Sequence, residues 1–157
     1  MRIVRFTVGD KVKYGILEND SIRGLQGSPF ARFKGSVESI RFDGDTFLLK
    51  DIKILATCTP PKIVALGLNY RRHAEETKMP LPSVPLIFLK PSTAVIGPDD
   101  EIVLPRDSTR VDYEGELGVV IGKKVKDVQK DRVSRYILGY TCVNDISERH
   151  VQAADGQ

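Results

Sequence analysis

The chain has 157 residues, which is enough for one domain or for a small domain followed by part of a larger one. Its 24 basic and 21 acidic residues leave a net charge of +3 without a basic run, so composition gives no support to nucleic-acid binding. No apolar stretch is long enough to cross a bilayer, and Met1 leads directly into a charged, strand-like stretch rather than into a signal peptide. We therefore expect a soluble, cytoplasmic protein.

The chain contains two cysteines, Cys58 and Cys142, which lie far apart in the sequence and have no neighbouring cysteine that could share a ligand. This pattern argues against a zinc knuckle and against a disulfide framework. We expect both to be reduced, buried thiols.

The first part of the chain is predicted to be a small β-rich unit. Residues 3–8 have the composition of a strand, and Gly9 with Asp10 predicts a hairpin turn into residues 11–14. Two further strands are predicted at residues 47–49 and 52–55.

A break follows at Thr59-Pro60-Pro61, because neither proline can donate a backbone hydrogen bond and each restricts the residue before it. We place a domain boundary there. The prediction is a small β-rich domain over residues 1–58 and a second domain that begins at residue 59 and runs to residue 157.

The second domain is predicted to alternate strands with short helices. A polar helix is expected between Tyr70 and Lys78, and a helical segment between Asp127, as a possible N-cap, and Tyr136. Another helix is expected to start at Ser147. The predicted strands cover residues 62–67, 86–89, 101–104 and 137–143.

The most informative segment runs from residue 112 to residue 122, and its apolar end predicts a strand that enters the core. Side chains alternate along a strand, so Asp112, Glu114 and Glu116 should share one face and lie about 7 Å apart in sequence order. Leu117 and its alternate neighbours should share the other face. The glycines at positions 115 and 118 should leave room for a ligand or a neighbouring backbone.

Neighbouring carboxylates at the edge of a core are unfavourable unless a cation neutralises them. Oxygen-only ligation favours Mg²⁺, with Mn²⁺ or Ca²⁺ as alternatives, over zinc. A third acid, Asp145, follows the apolar run 137–144, where a strand should end. The competing interpretation is that Asp112, Glu114 and Glu116 line the solvated face of an ordinary amphipathic strand.

A histidine and a glutamate are predicted to share one face of the helix after residue 70. His73 and Glu76 are three residues apart, and a carboxylate beside an imidazole can orient it for proton transfer near neutral pH. A surface helix that carries one histidine among mixed charges has the same pattern. His150 receives no predicted role.

Four segments in register resemble successive motifs of the fumarylacetoacetate hydrolase superfamily over residues 62–157, and residues 1–58 resemble the variable extra domain of its bacterial and archaeal members. The resemblance implies a mainly β fold with short helices, of the mixed β-sandwich or β-roll type, that is incomplete at the C-terminus. The four segments are 65–76, 88–93, 112–122 and 139–147.

The resemblance also implies roles for individual residues. Glu114, Glu116 and Asp145 fall on the family's metal ligands, and His73 with Glu76 falls on the dyad that deprotonates the attacking water. Lys90 belongs to neither the metal ligands nor the dyad, and it is expected near the anionic oxygens of the substrate. Family members are commonly dimers, so a homodimer is expected, and a complementary C-terminal fragment is an alternative partner.

The implied activity is a Mg²⁺-dependent reaction of small β-diketo or oxo acids through a metal-stabilised enolate, as in hydrolysis of the C–C bond of acylpyruvates. Isomerisation of hydroxymuconate-type diacids from aromatic degradation and decarboxylation or tautomerisation of oxaloacetate stay open at the same site. A non-catalytic binding or assembly module with a structural cation is a further alternative.

Overall fold

The computed structural model describes residues 1–76 and 78–154, and the fold is mainly β with short helices, as predicted. Eleven strands and three α-helices lie within these ranges. The first five strands are β1 (Ile3–Val8), β2 (Lys11–Glu18), β3 (Ser21–Leu25), β4 (Phe42–Leu48) and β5 (Lys53–Leu55). The remaining strands are β6 (Ile63–Gly67), β7 (Leu86–Lys90), β8 (Val111–Asp112), β9 (Gly115–Ile121), β10 (Ile137–Asn144) and β11 (Ser147–Glu148). The helices are α1 (Pro29–Arg32), α2 (Arg71–Glu76) and α3 (Arg149–Ala154).

The N-terminal strands form one antiparallel sheet in the order β4-β3-β2-β1-β5. The predicted hairpin turn at Gly9 is confirmed, because β1 and β2 pair from Ile3 opposite Ile16 to Val8 opposite Lys11. Phe6 and Ile22 are fully buried in this sheet's core, and the Phe6 ring meets Phe47 edge to face at 5.3 Å. Alternation of apolar and polar residues along these strands therefore gives the sheet one buried face.

The later strands form three separate antiparallel pairs, β6 with β7, β8 with β11 and β9 with β10. In β9–β10 the register places Glu116 opposite Val143 and Gly115 opposite Asn144. In β8–β11 it places Asp112 opposite Ser147. The two pairs bring the acidic segment and the end of β10 to the same region.

Apolar side chains cover the open faces of two of these pairs. On β9–β10, Leu117 and Tyr140 are each 64% exposed, and Val119 and Ile121 lie on the same alternate positions. On β6–β7 the paired positions Val64, Leu66, Ile87 and Leu89 are exposed, and so is Leu86 at the start of β7. The sequence pattern predicted Leu117 and its neighbours to face a core, whereas this face is open in the described chain.

The acidic segment differs from the prediction of one continuous strand. Tyr113 and Glu114 belong to no strand, and they separate β8 from β9. Asp112 therefore pairs in a different sheet from Glu116. Asp112, Glu114 and Glu116 are nevertheless each half-buried, and the alternate residues Tyr113, Gly115 and Leu117 are exposed. The predicted shared face therefore continues across the break, and Arg149 contacts both Asp112 and Glu114.

Other local predictions also differ. Residues 101–104 form no strand, and residues 130–136 form a 3₁₀ helix whose N-cap is Gln129 rather than Asp127. Asp127 has a φ of +53°, which suits a turn and not a cap. Ser147 begins β11, and the helix starts two residues later.

Both cysteines are free, as predicted, but only Cys58 is even half-buried, and Cys142 lies exposed on β10. Burial raises the pKa of the Cys58 thiol, which keeps it protonated near neutral pH. The expectation of a buried Cys142 is wrong, because it stands opposite Leu117 on the open sheet. Within the described residues no helix is long and apolar enough to cross a membrane.

Candidate functional site

The three carboxylates predicted as metal ligands lie at one end of the β9–β10 pair. Glu114 precedes β9, Glu116 is its second residue, and Asp145 follows β10 directly. The backbone N–H of Asp145 donates to the Glu114 carbonyl at 2.8 Å, and the Glu114 N–H donates to Asn144 Oδ1 at 3.2 Å. These bonds extend the β9–β10 ladder to the acidic residues and place Glu114 beside Asp145.

Each of these carboxylates contacts a donor from another element. Arg149 Nη2 donates to Glu114 Oε1 at 2.7 Å, and Asn69 Nδ2 donates to Glu116 Oε2 at 3.0 Å. Lys90, the last residue of β7, forms an ion pair with Asp145 Oδ1. The Glu114 and Asp145 side chains are only 27% and 14% exposed, so they lie apart from bulk solvent.

Asp112 belongs to a neighbouring ion-pair cluster. Arg149 Nε donates to Asp112 Oδ2 at 2.8 Å while its Nη1 donates to Gln152 Oε1, also at 2.8 Å. The Arg149 guanidinium holds the pKa of the Asp112 carboxyl below its usual range, and Arg110 at 3.7 Å contributes to this. Asp112 is therefore ionised and already paired, and Arg149 joins it to Glu114.

The donor set fits a hard divalent cation in its chemistry. Among the described residues no three His, Cys, Asp or Glu side chains are closed around a single point as a metal cage. However, Asp145 Oδ1 is buried, and the Lys90 ammonium is its partner. Three carboxylates at one end of a strand pair, one of them buried and neutralised by an ammonium, are hard oxygen donors of the type that Mg²⁺ or Mn²⁺ binds.

The two glycines of the acidic segment differ in their surroundings. A Cβ at Gly118 would lie 2.7 Å from Val143 Cγ2 and 2.9 Å from Thr141 Cγ2, so this glycine makes room for side chains of β10. A Cβ at Gly115 would meet no atom within 4 Å. Because side chains alternate along β9, the open space at Gly115 lies on the face of Leu117 and not on the face of Glu116.

His73 and Glu76 both lie on α2, as predicted, with His73 half-buried and Glu76 exposed. The segment before α2 approaches the acidic segment, since Tyr70 OH donates to the Gly115 carbonyl at 3.1 Å. Direct contact between His73 and the carboxylates stays a prediction. His150 lies elsewhere, with Nδ1 beside Thr109 Oγ1.

Sequence reasoning missed the partners of the carboxylates. Lys90, expected near the anionic oxygens of the substrate, forms an ion pair with Asp145, and its contact with a substrate stays a prediction. No local pattern indicates that Arg149 reaches Glu114, because the two residues are 35 positions apart. For Asn69 a signal existed, since it stands directly before the predicted helix of His73, at the end of a strand, where functional groups are common.

Comparisons with known proteins find two family matches and several relatives. Residues 62–157 match the family described as "Fumarylacetoacetate (FAA) hydrolase C-terminal", and residues 1–56 match "Rv2993c-like, N-terminal". An uncharacterized protein of Archaeoglobus fulgidus is 54% identical over 120 residues, which are 76% of this chain and 48% of the relative. The 2,4-didehydro-3-deoxy-L-rhamnonate hydrolase of a Sphingomonas strain is 48% identical over an alignment of 166 residues. That alignment covers 99% of this chain and 56% of the hydrolase.

Among solved structures, 5-carboxymethyl-2-hydroxymuconate delta-isomerase from Mycobacterium smegmatis superposes with a TM-score of 0.85 at 38% identity. The match covers all of this chain and 59% of that protein. The chain thus spans about half to three fifths of the length of these relatives. The match to the fumarylacetoacetate hydrolase model covers residues 62–157, which is more than half of this chain. The chain therefore belongs to the fumarylacetoacetate hydrolase family.

Proposed function

We propose that this site hydrolyses the C–C bond of small 2,4-dioxo acids with the help of a divalent cation. The observation that carries the proposal is that Glu114, Glu116 and Asp145 all lie at one end of β9–β10, where Asp145 Oδ1 is buried against the Lys90 ammonium. The Sphingomonas relative supports it, because the name of its substrate describes an acid with ketone groups at C2 and C4.

Glu114, Glu116 and Asp145 would hold the cation. We propose Mg²⁺, with Mn²⁺ or Ca²⁺ as alternatives, because all three ligands are hard carboxylate oxygens. When bound, the cation supplies electrophilic stabilisation of the negative charge that develops on the substrate's oxygens. Lys90 would add a second positive charge near a substrate oxygen, at the cost of its ion pair with Asp145.

His73 and Glu76 supply the base in this proposal. Glu76 orients the His73 imidazole, which takes a proton from a water as the water oxygen bonds to the C4 carbonyl carbon. The C3–C4 bond then breaks, its electron pair moves to C3, and C3 takes the proton that His73 removed from the water. The products are a carboxylic acid that carries the water oxygen and a pyruvate-type 2-oxo acid, so atoms and charges balance.

A second candidate is isomerisation at the same site, in which the base moves a proton between carbons and no water is added. The 38% identical delta-isomerase favours this reading. Oxaloacetate decarboxylation or tautomerisation is a third use of the same cation. Parallel assays with acetylpyruvate, oxaloacetate and 2-hydroxyhepta-2,4-dienedioate separate these activities.

We further propose that the working enzyme contains more polypeptide than the chain described. The apolar faces of β6–β7 and β9–β10 need a cover, and the relatives carry additional sequence beyond the matched part. The cover is a complementary C-terminal segment in our proposal, with homodimer formation as a further step. A cytoplasmic location stays a prediction.

Cation binding is the first test. Isothermal titration of the chain with MgCl₂ or MnCl₂ after EDTA treatment should give one site, and saturating metal should raise the thermal midpoint by ligand linkage. Glu116→Gln should weaken binding by about tenfold or more, since it removes one charged ligand. Glu101→Gln, an exposed acid, is the matched control and should bind as the unchanged protein does.

Turnover is tested after the remaining part of the Sphingomonas hydrolase is supplied as a separate polypeptide. His73→Ala should abolish hydrolysis while cation binding persists. If the unchanged protein binds no cation, the proposed site is refuted. A protein that turns over none of the substrates would instead support a non-catalytic binding or assembly module with a structural cation. In that case His73→Ala should leave binding and assembly intact, whereas Glu116→Ala should unfold or dissociate the protein.

A further inference from the structure

We propose that Asn69 and Tyr70 are positioning residues that hold the acidic segment in the geometry a divalent cation requires. The inference rests on the proposed function, because it concerns the same carboxylates. It adds a role for two residues that would themselves contact neither cation nor substrate. The role is mechanical: both residues fix the start of β9 to the turn before α2.

The backbone directs the two side chains towards β9. Leu68 follows the last residue of β6 and has a φ of +50°, which is uncommon for a residue with a branched side chain. This single left-handed residue ends the strand and turns the chain sharply. The turn at this strained residue directs Asn69 and Tyr70 towards the acidic segment.

The two hydrogen bonds act on neighbouring groups. Asn69 Nδ2 donates to Glu116 Oε2 at 3.0 Å, which fixes the carboxylate's orientation through one oxygen. Tyr70 OH donates to the carbonyl of Gly115 at 3.1 Å, which restrains the peptide that links Gly115 to Glu116. Gly115 is the first residue of β9 and lies opposite Asn144, the last residue of β10, so this hydrogen bond adds a restraint at the end of the ladder.

The same residues connect the carboxylates to the helix that carries His73. The N–H of Ala74 donates to the Tyr70 carbonyl at 3.2 Å, so Tyr70 supplies an acceptor to the first turn of α2. Ala74 is buried and packs α2 down on the fold. Tyr70 thus bonds α2 through its backbone and β9 through its side chain, and it sets the distance between the base and the carboxylates.

The physical effect is preorganisation. A carboxylate already held in its binding orientation loses less conformational freedom when a cation binds, and hydrogen-bonded partners of metal ligands change metal affinity by about 10- to 100-fold. Asn69 is neutral, so it orients Glu116 without competing with the cation by charge. Lys90 and Arg149, which pair with the other two carboxylates, do compete.

The test is Mn²⁺ affinity, measured on the unreacted protein by electron paramagnetic resonance of free Mn²⁺. Asn69→Ala should weaken affinity about tenfold, and Tyr70→Phe, which loses only the hydroxyl, about fivefold. The controls are Tyr113→Phe, whose side chain is 83% exposed, and Gln129→Ala, an exposed amide. Both controls should leave affinity unchanged.

The thermal midpoint in EDTA separates positioning from general destabilisation. If Tyr70 has a positioning role, the thermal midpoint of Tyr70→Phe in EDTA equals that of Tyr113→Phe, whereas the affinity of Tyr70→Phe for Mn²⁺ is lower. Equal affinities in the unchanged protein and both variants overturn this inference and leave the proposed cation site standing. An unchanged protein that binds no Mn²⁺ overturns both.

Discussion

Lys90 and Asp145 form the ion pair that neutralises the most buried carboxylate of the site, with side chains 28% and 14% exposed. Lys90→Met keeps the length of the apolar stem and removes the charge. Without metal, Asp145 then keeps a buried charge with no cationic partner, and we expect a loss of about 2 kcal/mol in the free energy of unfolding. Urea unfolding in EDTA measures this loss.

The same substitution should increase what a cation contributes, because Mg²⁺ then meets a carboxylate with no competing ammonium. The rise in thermal midpoint on adding MgCl₂ should be larger in Lys90→Met than in the unchanged protein. Lys126→Met, whose lysine side chain is 89% exposed, is the control and should change neither value. A smaller rise in Lys90→Met would mean that Lys90 does not compete for Asp145.

At the scale of single residues, the sequence was informative about residue type and position but not about partners. Carboxylates at strand ends and a histidine near a glutamate could be recognised from spacing. The contacts of Asn69 with Glu116, 47 positions away, and of Lys90 with Asp145 depend on how distant elements pack. Local pattern contains no information on such contacts.

At the scale of elements, β9 and β10 are held close by Gly118, which faces Val143 and Thr141. Gly118→Ala should push the strands apart and destabilise the protein by about 1–3 kcal/mol, since an added methyl overpacks the pair. Gly115→Ala on the same strand meets open space and should be neutral or slightly stabilising. Chemical unfolding of the two variants, compared in EDTA, measures the difference.

A Gly118→Ala protein as stable as Gly115→Ala would show that β9 and β10 have room for the added methyl group.

The element boundaries show why prediction from hydrophobic periodicity reached only part of the fold. β1, β6, β7 and β10 were predicted to within one residue at each end because each is a single short run rich in apolar and β-branched residues. The strand predicted over 112–122 was wrong at its start, since Tyr113 and Glu114 interrupt the ladder, and no residue type there signals a break.

At the scale of the whole molecule, the buried core is unevenly distributed. Five of the six buried apolar residues belong to the N-terminal part, and Ala74 alone belongs to the rest of the described chain. The five are Phe6, Ile16, Ile22, Leu25 and Phe33. Two-stranded pairs such as β6–β7 and β9–β10 have little stability without a covered apolar face. The two parts should therefore differ in local stability.

Hydrogen exchange followed by mass spectrometry should show this difference. In the chain alone, amides of β1–β4 should exchange slowest, and those of β6, β7, β9 and β10 should exchange much faster. Adding the remaining part of the Sphingomonas hydrolase should slow the second group specifically, because a complementary segment covers their open apolar faces. Leu117→Lys on the open face should abolish this protection, whereas Val12→Lys, on an exposed position of β2, should not. Protection that instead rises with the concentration of the chain alone would assign the cover to a second copy, and the absence of any protection would mean that these faces are not docking surfaces.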